Sequence, residues 1–182
     1  MPYENLDSEE LLRLALEAMN TGRDAESVTL LKTLVEREPG AANGHYLLGA
    51  QYAQIGMMDR AEEGFRAAIQ AAPDLAMARF QLGQLLLVQG RGAESKAVFE
   101  PLLRAPEGVA LGAYARALSA AADDDVAATL AALQAGLACP QEIPALQEDM
   151  RRLFERLGGG QPPAGGGTPA TPMFLSGYGR PA

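Results

Sequence analysis

Apolar residues return every three or four positions through most of this chain, and the runs are cut at even intervals by the same few residue types. Residues 42–75 show the unit most clearly. Leu48, Gly49 and Tyr52 lie on one face of a first helix, while Ala61, Phe65, Ala68 and Ile69 make one stripe on a second. Gly49 and Ala61 are small where two helix axes must approach, and Phe65 is large where the gap beside them must be filled. Gly56 ends the first helix and Pro73 stops the second. The same spacing predicts helices over 8–21, 24–37, 75–89, 93–104, 109–122 and 125–138, and a last amphipathic helix over 142–157 carrying Ile143, Leu146, Met150, Leu153 and Leu157. Asp7 or Ser8 caps the first of them, with Glu9 and Glu10 in its opening turn.

The unit repeats with a period of 34 residues. One step back, Leu14, Ala15, Gly22, Ser27, Leu31, Leu34 and Pro39 occupy the corresponding slots; one step forward, Leu82, Gly83, Gly90, Ser95, Phe99 and Leu102 do, with Pro106 one residue early. The turn of the first copy, Gly22 to Ser27, reads almost as that of the third, Gly90 to Ser95. In the next copy Asp124 stands where the turn glycine belongs, with Thr129 and Leu133 on later slots. A hairpin of this size cannot bury both its faces, so copies must stack.

This punctuation resembles the tetratricopeptide repeat. The resemblance implies an all-α, right-handed superhelix of helical hairpins, with repeats at 8–41, 42–75 and 76–109, a degenerate fourth at 110–141, and a capping helix at 142–157. His45 sits where the family usually carries a tryptophan, with Leu11 and Arg79 at the same slot of the flanking copies. Pro101 lies inside a second helix, removes its bond to the Ala97 carbonyl and predicts a kink. The stripe on 142–157 is expected to close the end of the stack, with pairing of two copies into a homodimer as the alternative.

Composition agrees with helix packing and narrows the partners. The chain is 48% hydrophobic but only 5% aromatic. All 23 acidic residues and 14 of the basic ones precede Gly158, a net of −9, which argues against nucleic acid. There is no apolar run of membrane-spanning length, no basic-then-apolar leader, and one cysteine, Cys139; membrane insertion is not expected and a cytoplasmic, reducing compartment is. Residues 158–182 change character, with eight glycines and five prolines in 25 positions, a composition that predicts no packed structure. One cluster within them, Met173, Phe174, Leu175 and Tyr178, reads either as a short docking segment or as incidental.

Catalytic chemistry finds no support. His45 is expected to fill core, Cys139 has no cationic neighbour in sequence, and Asp123, Asp124 and Asp125 lack the glycine and distant glutamate of a calcium loop and suit a turn and cap. No cofactor or metal is implied. The informative residues are those at repeat positions 2, 5, 9 and 12, about 140° from the packing face of each first helix. In the resembled family that second face lines a concave groove. Here it carries Leu12, Leu16 and Met19, then Asn43 and Tyr46, then Met77, Phe80, Gln84 and Leu87, then Tyr114 and Leu118. Tyr46, Phe80 and Tyr114 form an aromatic series at position five, expected to be exposed, and Asn20, Gln54 and Gln81 add carboxamides for a peptide backbone. The lysines and arginine of the family's carboxylate-clamping members are absent from these slots. The expected function is a non-enzymatic adaptor that binds a segment of another protein in an apolar groove. Two alternatives stay open: a secretion or assembly chaperone shielding a client's apolar segment, and a regulatory subunit docking through its own tail.

Overall fold

In the computed structural model, which describes Tyr3 and residues 5–158, the described residues form nine helices and no strand. They are α1 (Ser8–Asn20), α2 (Asp24–Arg37), α3 (Ala42–Gln54), α4 (Met58–Ala71), α5 (Ala76–Val88), α6 (Gly92–Leu103), α7 (Ala110–Ala121), α8 (Val126–Ala138) and α9 (Pro144–Leu157). Asp7 is the residue that caps α1. Its carboxylate accepts from the Glu10 amide at 2.8 Å while Glu10 returns a bond to the Asp7 amide at 2.9 Å, so two donors of the first turn are satisfied reciprocally.

The turns inside the four hairpins fall on one geometric rule. Gly22, Gly56 and Gly90, spaced by the period read from sequence, have φ of +68°, +80° and +75°, the left-handed conformation that ends a helix cheaply only when no Cβ is present. The fourth turn places Asp124 at φ +57°, in the same region. The aspartate run therefore shapes a turn and a cap: Asp125 accepts from the Ala128 amide at 2.9 Å to start α8, and Asp123 pairs with Lys96 at 2.6 Å.

The chain divides into two compact units, one up to Ala78 and one from Arg79. In the first, α1 packs on α2, α2 on α3 and α3 on α4. Leu11, Ala15, Leu30, Leu31, Leu48, Ala61 and Phe65 are buried there, and the buried Gln51 donates from Nε2 to Asp24 at 2.9 Å, tying α3 to the start of α2. In the second, the Gly83 carbonyl of α5 accepts from the buried Ser95 hydroxyl of α6 at 2.7 Å, α6 packs on α7, α7 on α8, and α8 on α9. Burying a hydroxyl at that slot is tolerable because the hydroxyl is bonded; Thr129 satisfies the same need with the Asp125 carbonyl at 2.7 Å.

Two local expectations are revised, and the place of Pro101 is fixed. Helix α9 begins at Pro144, not at 142, because proline fits the first helical position and forces the residue before it into extended backbone. Ile143 is consequently outside the helix and 38% exposed, whereas Leu146 and Met150 are buried and α9 packs on α8. His45 is half-buried rather than core: its Nε2 lies 2.9 Å from the Pro39 carbonyl, a latch across the α2–α3 turn. Pro101 sits in the last turn of α6, two residues before its end, so the missing hydrogen bond falls where the helix is already finishing.

Candidate partner-binding faces

The residues expected to line a groove divide sharply by exposure. On α1, Leu12 and Met19 are half-buried, Leu16 is 41% exposed, and Asn20 is exposed. They flank the buried stripe Leu11, Ala15 and Ala18 that packs in the hairpin, as the 3.6-residue turn requires. Leu12 and Leu16 border a shallow depression of about 470 Å³ on this helix, rimmed by Glu9, Arg13, Glu17 and Asn20. On α3, Asn43 is exposed, and Tyr46 and Gln54 are half-buried.

From α5 onward the same register is mostly sealed. Met77 and Leu87 are half-buried, but Phe80 is 0% and Tyr114 1% exposed, and Gln81, Gln84 and Leu118 are buried as well. The exposed aromatic series expected at position five therefore does not exist as a series. The reason is angular: position five lies only about 60° from position eight around the helix, so a long ring there can lean onto the hairpin's own second helix. Phe80 lies 5.8 Å from the Phe99 ring by centroid, and Tyr46 lies 6.1 Å from Phe65, the equivalent pair one repeat earlier. Gln84 is 5% exposed, and its Oε1 has no hydrogen-bond partner among the described residues, so burial keeps this carboxamide from meeting a peptide backbone as expected.

Tyr114 instead forms the floor of a cleft that sequence reasoning missed. The cleft, of about 260 Å³, lies between the start of α7 and the α8–α9 connection, with Val109, Leu111, Ile143 and Leu146 as apolar walls and Glu142 at the mouth. The Tyr114 hydroxyl donates to Gln141 Oε1 at 2.9 Å, and Gln141 Nε2 donates to the carbonyls of Gly136 and Cys139 at 2.8 and 2.6 Å. Burial raises the Tyr114 phenol above its ordinary value near 10. Nothing in the local sequence signals this cleft, because it depends on a carboxamide reaching back across a turn.

A further depression of about 480 Å³, between α2, α3 and α4, mixes Lys32 and Arg60 with Glu36 and Glu63; the Arg60 guanidinium stands 5.6 Å from the centre of the Tyr52 ring. Among the described residues no group of His, Cys, Asp and Glu is placed to hold a metal ion, and no helix is long and apolar enough to cross a membrane. Met173, Phe174, Leu175 and Tyr178 lie outside the described residues.

Helical hairpins with left-handed turns every 34 residues, and a large-against-small lock inside the second, third and fourth of them, define an all-α helical repeat. The chain is a tetratricopeptide-like helical-repeat protein. It is similar in structure to PilW, described as a widely conserved type IV pilus biogenesis factor, at a TM-score of 0.66 and 25% identity over 85% of this chain and 73% of that one. A thermophilic TPR protein of Thermus thermophilus matches at a TM-score of 0.65 and 21% identity, over 86% and 84% of the two chains. MamA from Desulfovibrio magneticus matches at 0.62 and 19%, over 83% and 89%. No family model matches the chain, and no curated protein does.

Proposed function

We propose that the chain is a non-enzymatic adaptor that docks an apolar segment of another protein, with the outer face of α1 as the principal contact. The observation that carries this reading is Leu16: a large apolar side chain 41% exposed beside half-buried Leu12 and Met19, on a face bordered by the exposed carboxamide of Asn20. An apolar centre with a polar rim is the usual anatomy of a protein-docking patch. The net charge of −9 before Gly158 favours a partner segment flanked by basic residues and disfavours nucleic acid. Tyr46, Asn43 and Gln54 on α3 extend the contact within the same unit, whereas sealed Phe80 and Tyr114 take no direct part.

Placing a photocrosslinking residue at 16, and comparing Leu16→Asp with the control Val88→Asp at a 55% exposed site elsewhere, tests the proposal. Leu16→Asp should abolish recovery of one defined partner band while melting temperature stays within a degree or two of the parent, as expected of an exposed site. Equal recovery with Leu16→Asp and Val88→Asp would refute docking on α1.

A further inference from the structure

Independently of the α1 reading, the cleft beside Tyr114 has the properties of a receptor for a single large apolar side chain. We propose that it holds Phe174 of the chain's own carboxy-terminal segment. The cleft is preformed: Gln141 spends its oxygen on Tyr114 and its nitrogen on two carbonyls, so the connection that makes one wall cannot collapse without breaking three bonds. It is apolar and open. Two of the exposed large hydrophobic residues of the described chain, Val109 at 41% and Ile143 at 38%, stand at its edge with nothing of their own helices to cover them. At about 260 Å³ it is smaller than the roughly 300–1,000 Å³ typical of ligand pockets, and it suits one aromatic ring with adjoining backbone.

Three features of the chain select the occupant. Beyond Gly158 the sequence contains a single cluster of large apolar residues, Met173, Phe174 and Leu175 with Tyr178 close behind. The distance fits: α9 has 14 residues and is about 20 Å long, which is the separation of the cleft at its start from Gly158 at its end. The 14 residues at 159–172 could at full extension cover at most about 45–50 Å, so the chain is long enough for Phe174 to reach the cleft. Charge points the same way, since Arg180 is the one side chain after Arg156 that is charged at neutral pH and the mouth of the cleft carries Glu142. Tethering at this length supplies an effective concentration in the millimolar range, enough to fill a site whose intrinsic affinity is weak.

Hydrogen exchange on the full-length protein reads the contact directly. The amides of Leu111 and Gly112 in α7, and of Ala145 and Leu146 in α9, belong to first helical turns and lack intrahelical partners, so they exchange fast unless covered. Phe174→Asp should speed exchange in both segments by about five-fold, with no change in peptides from α3 and α4. Ile143→Ser, which thins the wall without a charge, should release the segment 173–178 by a similar factor. The difference should persist on twenty-fold dilution, as an intramolecular contact requires. Equal exchange at these amides in parent and Phe174→Asp would overturn the proposal, and so would protection that fades on dilution, which would assign the cleft to a second copy of the chain.

Discussion

The hairpins α3–α4 and α7–α8 solve one packing problem with opposite parts. In α3–α4 the first helix offers Gly49 and the second supplies Phe65: a Cβ on Gly49 would lie 2.9 Å from the Phe65 ring, and one on Gly64 would lie 2.7 Å from the Gly49 backbone. In α7–α8 the small residue has moved to the second helix and the ring to the first, so that a Cβ on Gly136 would lie 2.4 Å from Tyr114. What the repeat conserves from one copy to the next is a complementary volume between two close axes, not a residue type at a position. The inversion also has a consequence for function. A ring donated by the first helix is taken from the groove side, as Tyr114 is where it fills the space over Gly136.

The largest effect that can break this comparison is removal of the filler on either side. Phe65→Ala and Tyr114→Ala should each destabilise by about 3–5 kcal/mol, read as a shift in the urea midpoint without a change in slope. If Tyr114→Ala cost less than about 1 kcal/mol, Tyr114 would be a groove residue after all, and the inverted lock would be wrong.

The repeat frame, the helices and the left-handed turns were legible because each depends on local residue types at a fixed spacing: Gly22, Gly56, Gly90 and the substitute Asp124 could be placed by counting. The division between core and groove was not legible for Phe80 and Tyr114. Their angular position lies between the two faces, and which way a ring leans depends on what stands opposite on the second helix, the Phe99 ring for Phe80 and Gly136 for Tyr114. The start of α9 was misplaced by two residues because the apolar period was followed across Pro144, whose backbone rule should have taken precedence. The cleft held by Gln141 depends on long-range hydrogen bonds that leave no periodic trace.

Two smaller perturbations sharpen the comparison. Gly64→Ala presses a methyl against the Gly49 backbone, which has no rotamer to yield, and should cost about 1–3 kcal/mol; Gly40→Ala, where nothing lies within 4 Å, gives the control for an open site. A loss at Gly64 no greater than at Gly40 would mean the axes can part freely. Tyr114→Phe removes only the hydroxyl and should cost about 1 kcal/mol at neutral pH. It also changes the alkaline limb. Because burial raises the folded-state phenol above its ordinary value near 10, the unfolded chain releases that proton first, so stability holds below pH 10 and falls as pH rises above it. Tyr114→Phe should flatten that fall; an unchanged alkaline limb would show that other groups cause it.

The smallest expected effect concerns the turns, where the two hairpins also differ. Gly56 at φ +80° has open space around a would-be Cβ, so a substitution there reports backbone conformation alone. Asp124 at φ +57° shows that an aspartate is tolerated in the equivalent turn. Aspartate enters this region more readily than most residues because its short side chain bonds locally, whereas a β-branched residue is an outlier there. Gly56→Asp should therefore cost about 0.5–1 kcal/mol, Gly56→Val clearly more, and Asp124→Gly should gain only a few tenths, because the relief of strain is offset by the added freedom of the unfolded chain. Thermal melts of the three variants decide the matter through their order. Equal losses for Gly56→Asp and Gly56→Val would mean that Asp124 holds its turn through the neighbouring Asp125 cap and the Lys96 pair with Asp123, and the fourth hairpin would then be a different turn with the same spacing.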